Sequence, residues 1–207
     1  MYARLLNGVV SSVQAKPKWF LEDGTPIDDD ALFIADGIYP LTDIIPSYNF
    51  RVETCTKNPI SEWVIHEDHV EATYTILAMS IQDSILQLRQ LINDLRYSKI
   101  YQESIPYLFP GDTEPDGIQM RDEIDRQNIQ DIIIDATLKG PETVMYFMPV
   151  SNNLKIMTAA DMIAMGVYLK SRGDAIVSYA WQLKTTLAQL TDRSDFIDFN
   201  IVDGWPY

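Results

Sequence analysis

Residues 158–190 read TAADMIAMGVYLKSRGDAIVSYAWQLKTTLAQL, and their spacing decides the fold class. Thr158 and Asp161 form a capping signature, in which a hydroxyl accepts from an unpaired N–H of the first turn and an acid three residues on returns the bond. Behind this cap the pattern predicts one long helix over about 159–190, a rod of roughly 45 Å at ~1.5 Å per residue, with Gly166 and Gly173 as points where it kinks or divides. Its later half carries an apolar seam of Ile176, Tyr179, Ala180, Leu183, Leu187 and Leu190. Seams of this kind serve as core or as the contact between copies of a chain.

Toward the N-terminus the helix is preceded by VMYFMPV and LKIM, separated by Ser151-Asn152-Asn153, which predict a hairpin near 144–157 with Pro149 favouring an edge strand. Upstream, Ile118, Ile124, Ile129, Ile132, Ile133 and Ala136 give a second helix its buried stripe, and Gly140-Pro141 ends it. Within that helix Arg121, Asp125 and Asn128 share one stripe and Asp122, Arg126 and Gln130 another, a pattern of opposite charges that supports helix and not acid–base chemistry. Prolines 106, 110 and 115 with Gly111 and Gly117 predict a loop over IPYLFPGDTEPDG. Before it, Ser80 and Asp83 open an amphipathic helix to about Tyr101, with Ile81, Ile85, Leu88, Leu91, Ile92 and Leu95 at helical spacing.

The first third reads as strand and turn. Asn7-Gly8 lies between apolar pairs, and this dipeptide suits a two-residue hairpin turn because both central residues take positive φ. Between Lys16 and Pro59, five prolines and the acidic run Asp28-Asp29-Asp30 predict extended segments and loops held by apolar anchors, among them Trp19, Phe20, Phe33, Ile38, Tyr39 and Tyr48. The stretch WVIHEDHVEATYTI, residues 63–76, closes in register as a hairpin if Glu67-Asp68 is the turn: Ile65 then faces Val70, Trp63 faces Ala72, and His66 sits opposite His69 on the other face with Glu71.

Those two histidines are the only ones in the chain. A cross-strand His pair is metal-competent, and Glu71 is placed as a third ligand, so a small metal-dependent enzyme on His66, His69 and Glu71 is one reading. A closed zinc site takes four protein ligands, however, and the helical H-E-x-x-H pattern is not met. The expectation is a solvated hairpin tip, with no metal, no cofactor and no catalytic residue. A glycine-rich phosphate loop, a G-x-S-x-G elbow and a Cys/His framework are all missing from the sequence, and no enzyme is expected.

Sixteen basic residues against thirty acidic ones leave a formal charge of −14, which repels nucleic acid and anionic membrane surfaces. No apolar run approaches the ~20 residues of a membrane span, so no membrane insertion is expected. The single cysteine, Cys55, makes no internal disulfide, which fits folding in a reducing cytoplasm, and its surroundings supply no base to activate it.

Taken together the residues predict an α+β chain: N-terminal β-hairpins and loops, then a mainly helical C-terminal half with one further hairpin. Two domains are expected, a β-rich docking domain over 1–79 and a helical domain over 80–207. The stretches FPGDTEPDGIQMRDEIDRQNIQDIIIDA and MPVSNNLKIM through LAQL resemble an uncharacterised domain near the C-terminus of small tail and tail-fibre proteins of tailed bacteriophages. The residues that carry this are the Arg121/Asp125/Asn128 helix start, the Asn152-Asn153 turn with the Thr158 cap, and the Trp181-Gln-Leu-Lys184 ending. The opening MYARLLNGVV, the WFLEDGTPI segment, the GIYP motif at 37–40 and the 63–76 hairpin are similar to the N-terminal half of such proteins. This resemblance implies a structural component of a phage tail, part of or connector for the fibre and baseplate network used in host attachment, made in the host cytoplasm and carried in the virion. A tail-fibre assembly chaperone left out of the finished particle is the alternative it implies. Other tail or fibre proteins are the expected partners, in a homo-oligomer with a trimer favoured. Trp19, Phe20, Tyr39 and Trp63 are the expected partner-docking anchors, and Ile176, Leu183 and Leu187 the expected self-association seam.

Overall fold

The computed structural model describes residues 1–20 and 22–206. The chain is mixed α+β, about 39% helical and 26% strand, and divides into two compact units, Met1–Gln82 and Asp83–Tyr207.

In the first unit, β1 (Tyr2–Leu6) and β2 (Val9–Gln14) form the expected hairpin, with Asn7 at φ 54° and Gly8 at φ 77° in its turn. After them come β3 (Trp19–Phe20), β4 (Pro26–Ile27), helix α1 (Asp30–Ala35), β5 (Ile38–Thr42), β6 (Glu53–Lys57), a 3-10 turn (Ile60–Glu62), β7 (Val64–Ile65), β8 (Val70–Glu71) and β9 (Tyr74–Ala78). The main sheet has the order β2-β1-β5-β8-β7, and within it β5 and β8 run parallel while the other neighbours are antiparallel. Part of the acidic run that looked like loop is in fact a helix start: the Asp29 side chain accepts from the Ala31 N–H at 2.9 Å and caps α1.

The second unit holds most of α2 (Ile81–Ile100), then β10 (Gln102–Tyr107), β11 (Asp116–Met120), α3 (Glu123–Thr137), β12 (Val144–Phe147), β13 (Lys155–Thr158), α4 (Ala159–Leu187) and α5 (Arg193–Asp198). Thr158 and Asp161 make the reciprocal cap on α4, and Asp122 caps α3 by accepting from Ile124 and Asp125. Despite both glycines, α4 is continuous over 29 residues. At Gly166 a Cβ would lie 2.6 Å from Ile133 Cδ1, so the glycine is what lets α3 pack this close. Gly173 has nothing within 4 Å of a built Cβ. With no packing to lose there, Gly173→Ala should raise stability by about 0.5–1 kcal/mol through helix propensity alone, read as a higher urea midpoint at unchanged m-value.

The expected layout of N-terminal hairpins followed by a helical half with one further hairpin is overturned. The second unit contains two antiparallel strand pairs, β10–β11 and β12–β13, and the first is built around a mixed sheet with a parallel pair. Pro106, taken as a loop former, sits inside β10 opposite Gly117. A two-stranded ribbon has an open edge on each strand, so a missing N–H is tolerated where it faces outward. Gly117 is required for another reason: a Cβ there would lie 2.1 Å from Ser104 Oγ and 2.9 Å from Val150 Cγ2. Ile118, assigned to the helix stripe, is instead a fully buried residue of β11. Its core joins Ile105, Phe109, Phe147, Met157, Met162 and Met165 between the two ribbons, α3 and α4.

Candidate functional site

The second ribbon has one face in the core and one facing outward. Met145, Phe147 and Met157 are buried, whereas Val144, Tyr146 and Ile156 alternate with them and are exposed. Tyr146 pairs directly with Ile156 and the two are 62% and 67% exposed. The same alternation continues to Met148 and Leu154, also exposed. An apolar cross-strand pair usually goes inward, so an uncovered one is a candidate contact surface. The face is held firmly in place: Lys155 bonds Asp112 at 2.6 Å beneath the ribbon, Ser151 donates to Asp116, and the Val150 N–H donates to Gly117 O at 2.9 Å. Hydrogen bonding from Ser151, together with the Gly117 and Ser151 N–H groups and nearby Lys155, keeps the Asp116 carboxyl below the usual carboxylate range.

The residues expected to dock partners mostly serve the unit's own core. Trp63 is buried with Ala3, Val10, Val70 and Ala72, donates its indole N–H to Asn58 O at 2.9 Å, and carries Lys57 over its ring at 4.6 Å. Tyr39 packs on that cluster, and Trp19 meets Phe33 edge-on at 4.7 Å. Only Phe20, 58% exposed, presents surface. A single aromatic ring on a two-residue strand is ordinary surface.

The expected self-association seam also proves to be core. Ile176 and Leu187 are fully buried and Leu183 nearly so within one chain. What covers α4 comes from elements distant in sequence. Arg172 donates to Lys99 O at 2.7 Å and Gln102 Oε1 at 2.9 Å, and Lys184 donates to Asn93 Oδ1, so α2 runs antiparallel beside α4. From the other end, Tyr179 donates to Asp203 O at 2.8 Å and meets Trp205 edge-on at 5.2 Å, drawing the segment after α5 back onto the helix. Burial lowers the Arg172 guanidinium below its ordinary range, yet its charge sits among the last carbonyls of α2, where a cation is favoured.

At the 63–76 hairpin the register is the expected one: Ile65 pairs Val70, Val64 pairs Glu71, and the His66 N–H donates to His69 O at 2.8 Å. Val70, Ala72 and Trp63 are buried as foreseen, but Ile65 stays exposed because its strand is the sheet's outer edge. The two imidazoles stack at 4.3 Å with 13° between planes. His66 Nε2 lies 3.2 Å from Glu71 Oε2, and His69 Nδ1 lies 2.6 Å from Asp68 Oδ1. That bond from His69 holds the Asp68 carboxyl below the usual carboxylate range. One ligand atom from each of His66, His69 and Glu71 falls within 4.8 Å of the others. The pairing of these three was legible from register; the Asp68 contact, between sequence neighbours whose side chains an ideal strand would send to opposite faces, was not.

Residues 85–200 match the family model described as a domain of unknown function (DUF4376). The match spans more than half of the chain, and the protein belongs to this family. Comparisons with curated proteins and with solved structures give no match. No helix among the described residues is long and apolar enough to cross a membrane.

Proposed function

We propose that this protein is a structural component of a bacteriophage tail, part of or connector for the fibre and baseplate network used in host attachment. The observation that carries the reading is the outward apolar face of the β12–β13 ribbon. Its pairs are arranged like those of a core and stand uncovered among the described residues, as expected of a subunit whose remaining contacts come from neighbours. The resemblance of the Arg121 helix start, the Asn152-Asn153 turn and the Trp181–Lys184 ending to tail and tail-fibre proteins supports the same role. In this proposal neighbouring copies, in a trimer, and adjoining tail proteins meet through the ribbon face and not through the α4 seam. The ribbon is tied to the 112–117 segment by the Lys155–Asp112, Ser151–Asp116 and Val150–Gly117 bonds, which suits a permanent joint that loses little ordering entropy on docking. Antibodies raised against the chain and visualised with gold on intact phage particles should label the tail and leave the capsid clean. Particles that carry no label anywhere would overturn the proposal.

A further inference from the structure

We propose that the tip of the β7–β8 hairpin is a binding site for a divalent transition-metal cation of the zinc class, with His66, His69 and Glu71 as its ligands. This inference stands apart from the tail proposal and does not depend on it. The three side chains share one face of the hairpin: His66 and His69 are opposite each other across the turn, and Glu71 lies two residues beyond His69, diagonal to His66. Their ligand atoms, within 4.8 Å of one another, need to close by about 1 Å to surround an ion with bonds of roughly 2.0–2.2 Å. All three side chains are partly or well exposed and can turn to make that adjustment.

The supporting groups are those a metal site uses. His69 is bonded through Nδ1 to Asp68 at 2.6 Å, which assigns Nε2 to the ion, the carboxylate–histidine arrangement found behind metal-bound imidazoles. His66 Nε2 lies 3.2 Å from Glu71 Oε2; the ion takes the place of the contact between them, with the His66 ring hydrogen on Nδ1. Glu71 is the best anchored of the three, because β8 is paired on both sides, to Val64 of β7 and to Thr42 of β5. Two imidazoles and one carboxylate are the donor set of sites that keep a position open for water or for a side chain from elsewhere. Nitrogen donors favour zinc, nickel and copper over magnesium and calcium. A chain of charge −14, with Glu67 and Asp68 beside the pair, draws cations to this tip.

Calorimetric titration of the metal-free, full-length protein with zinc chloride in excess magnesium tests the site. One equivalent should bind. Asp68→Asn should weaken that binding about 10- to 100-fold, as loss of a supporting carboxylate does. The double substitution His66→Asn, His69→Asn should abolish it, with a far-UV circular dichroism spectrum like that of the parent showing that the variant is folded. A parent protein that takes up no zinc, or a folded double variant that binds zinc as tightly as the parent, would overturn the inference.

Discussion

Leu187→Asp, and to a lesser degree Leu183→Asp, should unfold the second unit. Leu187 is fully buried and Leu183 nearly so. An aspartate there must stay charged without a partner or take up a proton, and either choice costs several kcal/mol on top of the lost leucine packing. Domains of this size hold about 5–15 kcal/mol in all, so the change consumes much of that margin. Circular dichroism should show loss of helix, and limited proteolysis should open sites within 83–207 that the parent resists. A folded Leu183→Asp protein that has merely fallen from oligomer to monomer would restore the seam as an interface and contradict its place in the core.

Tyr146→Glu with Ile156→Glu should have the opposite profile. Both side chains stand in water on the ribbon's outer face, so the variant should stay folded, losing only about 1–2 kcal/mol as a cross-strand apolar pair gives way to two like charges opposite each other. Assembly should fail. Central apolar contacts in an interface contribute about 2 kcal/mol or more each, and two carboxylates buried against a neighbouring subunit add a desolvation cost, so association should weaken by about a thousandfold or more. The experiment supplies the variant in place of the native chain during phage growth and scores its peptides in purified particles. Incorporation at the parent's level would remove the ribbon face from the account.

These two predictions fall on either side of what the sequence makes legible. Signals that need only neighbours in the chain are reliable: Asn7-Gly8 takes the positive φ values its turn demands, Thr158 and Asp161 cap α4 reciprocally, and the 63–76 register follows from alternation. Partners distant in sequence are not encoded in local spacing. Nothing in the 158–190 pattern says whether the Ile176–Leu187 seam meets a second copy or its own chain, because both demand the same apolar period. The cover comes from α2, about ninety residues upstream at the Asn93–Lys184 bond, and from Trp205 beyond α5. The β10–β11 pair was hidden by its prolines and glycines, residues that local statistics assign to loops. Gly117 belongs there because Ser104 and Val150 leave no room for a side chain, a packing reason that composition does not reveal.

Part of the candidate surface was legible in principle. In VMYFMPV the alternation puts Met145 and Phe147 on one face and Val144, Tyr146 and Met148 on the other, so both faces of one strand are apolar. A ribbon with two apolar faces either lies between two layers of its own chain or keeps one face for a partner. Only the fold, which covers one face and leaves the other in water, distinguishes these.

The measurement that bears most directly on the central claim is quantitative mass spectrometry of purified, salt-washed phage particles, with peptides of this chain counted against those of the major tail proteins. The account predicts a fixed ratio of copies to tail subunits, a multiple of three for a trimer, that survives the wash. Abundance in the infected-cell lysate with no peptides in the particles would contradict it and make the chain an assembly helper.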